Sequence, residues 1–127
     1  MKNLLTPFSD FLYGLMRAIL GFLFLCHGLQ LTFGMLGGHR MSPHSLFGVG
    51  GLIELIGGAL IAVGLLTSVS AFICSGQMAV AYFMVHFPKG GLPIQNGGEL
   101  AVIYCFAFLF IASRGGGKWS LDALLHR

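Results

Sequence analysis

Residues 46–66 read LFGVGGLIELIGGALIAVGLL, and this stretch indicates the fold class of the chain. Glu54 is its only charged residue. The core of a lipid bilayer is about 30 Å thick and takes roughly 20 helical residues to cross, which is the length of this apolar run. Apolar runs of that length are typical of transmembrane helices, so we predict one over residues 46–66.

The composition of the whole chain agrees with this prediction. Of 127 residues, 56% are hydrophobic and 9% are charged, whereas a soluble domain carries about 25% charged residues. So few charges cannot cover a globular surface in water. The net charge of +3 comes from basic residues scattered along the chain, which make no patch for nucleic acid. We predict an integral membrane protein in contact with the lipid bilayer and no nucleic-acid partner.

Four apolar stretches have the length of a spanning helix. They cover residues 10–36, 46–66, 69–87 and 97–113, with glycine- and proline-containing loops between the first and second and between the third and fourth. The tail begins with Trp119 and Ser120 and then spaces leucines at helical intervals, which is typical of a capped helix at the membrane surface. We predict an all-α, polytopic protein, in which residues 1–127 form one antiparallel four-helix transmembrane bundle with a short interfacial C-terminal helix.

Basic residues predict the orientation. Four spans put both termini on one side, which carries Lys2, Arg114, Lys118 and Arg127, while the opposite loops carry Arg40 and Lys89. Because basic residues concentrate on the cytoplasmic side, we expect both termini in the cytoplasm and the protein in the inner (plasma) membrane. No small-residue cleavage site follows the first apolar residues, so we expect no cleaved signal peptide.

Glycine recurs every seventh residue in the first two spans. The positions are Gly14, Gly21 and Gly28 in the first span and Gly50, Gly57 and Gly64 in the second. This spacing keeps a residue on one face of a helix, and small residues let membrane helices approach closely. We expect the two helices to pack along these glycine faces.

Arg17 and Glu54 are charged residues inside predicted spans, where a charge costs about 3 kcal/mol on insertion scales. Each follows the glycine face of its own helix, so Arg17 is a candidate for a structural ion pair with Glu54. Their depths differ by about 8 Å at 1.5 Å per residue. In the alternative interpretation, Arg17 extends its side chain to the cytoplasmic surface of the membrane.

Each predicted span contributes an ionisable residue to the outer half of the membrane. These residues are His27, Glu54, His86 and Glu99, accompanied by Gln30. Polar residues inside a bilayer tend to face a bundle interior or a cavity, so we predict a ligand-binding or proton-handling site here, with Glu54 at its centre. Alternatively, His86 and Glu99 are solvated near the surface and His27 is a hydrogen-bonded core residue.

Three chemistries would suit this layer. Metal binding lacks support because di-metal bundles carry Glu-x-x-His on one helix, a spacing that does not occur here. Proton relay would use the carboxyl and imidazole groups. A quinone pocket would use the same groups to hydrogen-bond the ring oxygens. There is no haem-attachment motif, and three unpaired cysteines, Cys26, Cys74 and Cys105, argue against a dithiol enzyme.

An ordered set of residues extends over nearly the whole chain. It comprises Arg17, Gly21, His27-Gly28 with Gln30, Gly51 with Glu54, Gly57-Gly58, Gly64-Leu65-Leu66-Thr67, His86, Asn96-Gly97-Gly98-Glu99, and Gly115-Gly116-Gly117-Lys118-Trp119-Ser120-Leu121-Asp122. This set resembles the DoxX family of small four-helix membrane proteins. The family takes its name from a subunit of an archaeal terminal quinol oxidase, and other members are implicated in membrane complexes that handle oxidative stress.

The resemblance implies a redox-associated small subunit of a membrane oxidoreductase system, linked to quinone or quinol. Its implied partners are other membrane redox subunits or further copies of the chain. A non-catalytic structural or assembly subunit is the main alternative, and a small-molecule transporter is a further one. Neither enzymatic activity of the chain alone nor a definite cofactor follows from the sequence.

Overall fold

A computed structural model describes residues 3–126 and contains only helices and connecting loops over that range. The long helices are α1 (Ser9–Phe33), α2 (Leu46–Val63), α3 (Thr67–Ala81) and α5 (Glu99–Arg114), and the short ones are α4 (Pro93–Asn96) and α6 (Leu121–Leu125). A 3-10 turn, Thr6–Phe8, precedes α1, and α3 continues through a π-helical segment, Tyr82–His86, and a 3-10 turn, Phe87–Lys89. The predicted all-α class is confirmed. Lys2 and Arg127, two residues used to predict the orientation, lie outside the described residues.

Within residues 3–126, three helical segments are long and apolar enough to cross a bilayer. They are Thr6–Phe33, Leu46–Val63 and Thr67–Lys89. The first three predicted spans therefore correspond to helices of suitable length. The fourth, 97–113, corresponds to α5, whose 16 residues extend about 24 Å at 1.5 Å per residue. This is shorter than a bilayer core of about 30 Å, so helix length alone does not make α5 a span.

Local sequence explains where the first long helices begin and end. The hydroxyl of Ser45 accepts a hydrogen bond from the backbone N–H of Gly48 at 3.0 Å and thereby caps the N-terminus of α2. Gly34 and Gly64 follow α1 and α2 in the left-handed conformation, with φ of 70° and 75°. Glycine adopts this conformation without steric cost, and it stops a helix.

Glycine residues let α1 and α2 pack with their backbones in close contact. A Cβ atom on Gly21 would collide with the backbone of Ala62, and one on Gly28 would collide with that of Leu55. The early part of α1 therefore meets the late part of α2, so the two helices are antiparallel. The predicted contact face of α1 is confirmed at these two glycines, whereas Gly14 lies against Trp119 instead.

On α2 the predicted glycine face is wrong at Gly50 and Gly57. A Cβ on Gly58 would collide with the backbone of α1, so Gly58 is part of the face turned to that helix. Gly50 and Gly57 lie instead against Gln77 and Cys74 of α3. Helix α2 packs between α1 and α3 and has two rows of glycines, Gly51 with Gly58 and Gly50 with Gly57. Because the rows are displaced by only one residue, glycine spacing alone does not indicate which row contacts which helix.

Aromatic side chains of α5 complete the core. The ring of Phe108 lies 4.8 Å from that of Phe24 on α1, measured between centroids, and 5.4 Å from that of Tyr104. Phe24 and Phe108 are almost completely buried, as is Ile111. Helix α5 also packs along α3, so its side chains reach two other long helices.

The two ends of the helical array carry different segments of the chain. Asp10 forms ion pairs with Arg114 and Lys118, at 3.0 and 3.3 Å, at the end where the described chain begins and finishes. We call this the terminal end, and it also carries the α2–α3 turn, residues 64–66. The opposite end carries the connections 34–45 and 87–98, and we call it the loop end.

Candidate functional site

Glu54 lies inside the protein, on the face of α2 that is turned to α3. Only 7% of its surface is exposed. Its Oε2 accepts a hydrogen bond from Nε2 of Gln77 at 3.0 Å. Gly50, one turn earlier on α2, leaves room for the Gln77 amide, because a Cβ there would lie 3.0 Å from Nε2. The carboxyl group is therefore held by a neighbouring helix.

Gln77 is a residue of the site that the sequence analysis missed. Only its amide nitrogen can donate to a carboxylate, so the hydrogen bond to Glu54 directs the amide oxygen, Oε1, away from that group. Oε1 is buried and has no hydrogen-bond partner among the described residues. The signal was present in the sequence, since Gln77 is a long polar side chain inside the apolar stretch 69–87.

Two concave spaces meet at Glu54. The first, which we call the inner cavity, has a volume of about 270 Å³ and is lined by residues of all four long helices, including His27, Glu54, His86 and Tyr104. The second, which we call the α2–α3 groove, has a volume of about 520 Å³ and lies between those two helices. Glu54 and His86 border both spaces, so a group bound in either one would reach the same carboxyl and imidazole.

A network around Asn96 positions His86. Nδ1 of His86 lies 3.3 Å from the backbone oxygen of Asn96, and because a carbonyl only accepts, Nδ1 is the donor in this bond. The side-chain amide of Asn96 donates to the Tyr82 hydroxyl and to the Gly90 carbonyl, each at 3.0 Å. Tyr82 and His86 are the two ends of the π-helical segment, a kind of local irregularity that is frequent at functional sites.

His27 contributes from α1 to the inner cavity. Its imidazole is partly buried and packs edge-to-face on Tyr104, with ring centroids 6.2 Å apart. Tyr104 is itself buried and stacked on Phe108. The structure thus brings His27, Glu54 and His86, three of the five predicted site residues, to one cavity.

The other two predicted site residues lie elsewhere. Nε2 of Gln30 donates to the backbone oxygen of Leu36 at 3.0 Å, so this side chain binds the loop that follows α1. Glu99 is exposed in the first turn of α5 and lines neither the inner cavity nor the groove. A carboxylate there interacts favourably with the helix N-terminus, which accounts for its position.

Arg17 does not pair with Glu54 in this structure. Its Nε donates to the carbonyl of Ile61 at 2.9 Å, and its Nη1 donates to those of Gly116 and Trp119 at 2.6 and 3.0 Å. With only 3% exposure, Arg17 does not reach solvent either. The last turn of a helix has carbonyls without intrahelical partners, and a guanidinium has five donors with which to satisfy them. Arg17 therefore joins α1, α2 and the segment before α6.

Asp122 fastens the C-terminal segment to the start of α3. Its carboxylate accepts from the backbone N–H of Leu66 at 2.8 Å, and from the N–H and hydroxyl of Thr67 at 2.9 and 2.7 Å. Burial opposes ionisation of this carboxyl, but these hydrogen bonds and the nearby His126 outweigh burial and hold the pKa of Asp122 below its ordinary value. The predicted short C-terminal helix exists as α6, and its first turn docks on the terminal end.

Within residues 3–126, no three side chains among His, Cys, Asp and Glu are grouped so that they would hold a metal ion. The cysteines Cys26, Cys74 and Cys105 are free thiols. The polar side chains that line the two spaces are those of Glu54, Gln77, His27, His86 and Tyr104.

These features define a class of small all-helical protein, with helices of membrane-spanning length and a buried polar site. The family model described as DoxX matches residues 12–87. The chain belongs to the DoxX family, as its residues led us to expect. This match includes Arg17, His27, Gln30, Glu54 and His86.

Two proteins of Haemophilus influenzae are similar in sequence, and both carry the name "Uncharacterized protein". One is 37% identical over 127 residues, covering 94% of this chain and 95% of that protein. The other is 35% identical over 74 residues, covering 58% of this chain and 49% of that protein. No solved structure matches the chain. The comparisons therefore establish the family without assigning a reaction.

Proposed function

We propose that the protein crosses the inner membrane four times, with α1, α2, α3 and α5 as an antiparallel transmembrane bundle. Large apolar side chains cover the outside of all four helices. Phe22, Ile56, Phe72 and Ile103, one from each helix, are each more than half exposed. Lipid accommodates such a surface, whereas in water it would drive association.

The terminal end has the chemistry of a cytoplasmic membrane surface. Trp119 is 62% exposed there, and tryptophan concentrates at the level of lipid headgroups. Arg114 ends α5 and Lys118 follows it, and both are exposed. Basic residues favour the cytoplasmic side, which supports the proposal that both termini lie in the cytoplasm and the loop end faces outward.

Within this bundle we infer a site for a quinone or quinol in the outer half of the membrane. The observation that carries the inference is the position of Glu54, a buried carboxyl that borders both the inner cavity and the α2–α3 groove. The imidazole of His86 lines the same groove. Quinol hydroxyls donate to a carboxylate oxygen, and a protonated carboxyl donates to a quinone oxygen.

The volumes indicate where the ring would bind. Small-molecule pockets measure about 300–1,000 Å³. The α2–α3 groove, at about 520 Å³, falls within this range, whereas the inner cavity, at about 270 Å³, is slightly below it. Exposed residues such as Phe47, Val80 and Met84 line the groove, so it opens sideways toward lipid. A lipid-soluble ligand would enter from the bilayer without passing through water.

We infer that the protein acts as a small, quinone-linked subunit of a membrane oxidoreductase system. Glu54, His27 and His86 would handle protons between the ligand and the outer surface, since all three border the inner cavity. The partner would be another redox subunit or a further copy of this chain, and it would supply the electron donor or acceptor.

Binding of a short-chain benzoquinone to the purified protein in lipid nanodiscs tests this proposal. Glu54→Gln keeps the size of the side chain but removes its titratable group. We expect affinity to fall by about tenfold or more, because a hydrogen bond to a charged group contributes about 1.5–3 kcal/mol. Glu99→Gln is the matched control, since that carboxyl lines neither space, and its affinity should equal that of the wild type. Equal affinity in all three proteins, or no binding by the wild type, would contradict the proposal.

A second candidate is a non-catalytic assembly subunit, and the hydrogen bond between Glu54 and Gln77 favours it. Polar side chains that bond across helices also stabilise helix association in membranes, by about 0.6 kcal/mol on average. On this interpretation Glu54→Gln would lower thermal stability and the recovery of co-purifying chains while leaving quinone binding unaffected.

A further inference from the structure

The α2–α3 groove continues beyond the polar site. A second concavity of about 260 Å³ lies along the same two helices and shares Val49, Ile53 and Ile73 with the groove. It extends past Glu54 toward the terminal end, as far as Leu60 on α2 and Ser70 on α3. We call this second part the channel. The part of the channel between the level of Glu54 and that of Leu60 is about 9 Å long, at 1.5 Å per residue of α2.

The channel is apolar, whereas the groove carries Glu54 and Gln77 near the point where the channel joins it. Apart from Ser70 and Cys74, the residues that line the channel are aliphatic or glycine. Glu54 and Gln77 line the groove and not the channel. This arrangement complements an amphiphile with one polar ring and one apolar chain.

We propose that the channel holds the first units of the prenyl tail of the bound quinone. This inference rests on the proposed function and adds that the ligand is a long-tailed, membrane-resident quinone and not a water-soluble one. The ring would lie in the groove beside Glu54 and Gln77, and the chain would run toward the middle of the bilayer. The rest of the tail would leave the channel into lipid.

Charge argues against a phospholipid as the occupant. A phospholipid would bring its phosphate toward Glu54, yet neither lysine nor arginine is among the described residues that line the groove or the channel. A single apolar chain on an uncharged ring avoids this conflict.

Two photoreactive benzoquinones test the inference on the full chain in lipid nanodiscs. One carries an aryl azide on the ring, and the other carries it at the end of a two-unit prenyl tail. Mass spectrometry then locates the labelled residues. We expect the ring probe to label α3 near Gln77 and the tail probe to label α2 near Leu60 and α3 near Ser70.

A variant in which a larger side chain fills the channel provides the matched comparison. Leu60→Trp should abolish labelling by the tail probe near Ser70 and leave labelling by the ring probe unchanged, which also reports that the protein is folded. Leu109→Trp, a similar change on the outward surface of α5, should preserve both labels. Unchanged tail labelling in Leu60→Trp would overturn the inference.

The outcomes separate this inference from the proposed function. If the ring probe labels α3 near Gln77 but the tail probe labels outward residues such as Ile103, the tail lies in lipid and only the present inference fails. If an azidoalkane without a ring gives the same labelling in the channel, the occupant is a general alkyl chain and the inference fails. If neither quinone labels the groove or the channel, both proposals fail.

Discussion

The amide nitrogen of Gln77 lies 3.0 Å from a carboxyl oxygen of Glu54, and this hydrogen bond joins α3 to α2 between two concave spaces. The carboxyl group is buried, so the loss of this bond would leave it with little access to a substitute partner. The same bond that stabilises the helix pair also orients the carboxyl group of the candidate site. Stability and ligand binding are therefore coupled at these two residues.

Removing the partner of Glu54 should destabilise the protein. In Gln77→Leu the carboxyl group stays buried and loses its hydrogen bond, which costs about 1–3 kcal/mol. We expect a lower unfolding temperature in detergent, measured by intrinsic fluorescence. Gln95→Leu, at an exposed position of α4, is the control. It loses only a hydrogen bond from the exposed backbone N–H of Leu92 at 3.3 Å, which water can replace, so we expect a cost of about 1 kcal/mol or less. Equal unfolding temperatures for Gln77→Leu and the wild type would show that the bond contributes nothing.

Two glycine substitutions should have opposite effects. Gly58→Ala places a Cβ against the backbone of Leu25 and the carbonyl of Gly21, and overpacking of this kind costs about 1–3 kcal/mol. Gly76→Ala meets no atom within 4 Å and should be neutral or stabilise its helix by up to about 1 kcal/mol. Thermal unfolding of both variants tests whether Gly58 lies in the close contact between α1 and α2. Similar stabilities for the two variants would contradict the observed packing.

The geometry of the guanidinium should matter at Arg17 more than its charge. Arg17→Lys keeps the charge, but one ammonium cannot reach carbonyls of both α2 and the segment before α6. We expect a loss of about 2–3 kcal/mol, since at least two buried hydrogen bonds disappear. Arg114→Lys, at an exposed ion pair, should cost about 1 kcal/mol or less. Limited proteolysis should also cleave residues 115–125 faster in Arg17→Lys, and equal cleavage rates would refute this account.

Asp122 should make stability depend on pH in the acidic range. Its folded pKa lies below the ordinary value of 3.8, so the unfolded chain binds its proton first as pH falls. The stabilising contribution is therefore complete above the unfolded pKa and is lost as pH falls through the lower folded pKa. The stability difference between the wild type and Asp122→Asn should be constant from about pH 6 to 8 and shrink below about pH 4. A difference that grows on acidification would contradict this assignment.

Some of the candidate site was predictable from single residues. A carboxyl in the middle of an apolar stretch is costly unless it is paired, which identified Glu54 without any structure. His27 and His86 followed because each predicted span was assigned a direction, and direction sets depth in the membrane. Gln30 and Glu99 were predicted by the same depth argument, but depth does not say which way a side chain points. Gln30 binds the loop that follows α1, and Glu99 is exposed at the start of α5.

The sequence by itself determined the all-helical class, the DoxX family, the three bilayer-length apolar helices and the residues that end α1 and α2. These properties depend on local composition and on backbone preferences of single residues, so they can be inferred without knowing which helices are neighbours. Only the tertiary structure decided that Gly58 faces α1, that Gln77 and not Arg17 contacts Glu54, and that Arg17 binds backbone carbonyls. Adjacent residues on a helix differ by about 100° around its axis, so a small rotation of a helix changes every partner of its side chains. That rotation is set by the packing of all the helices together.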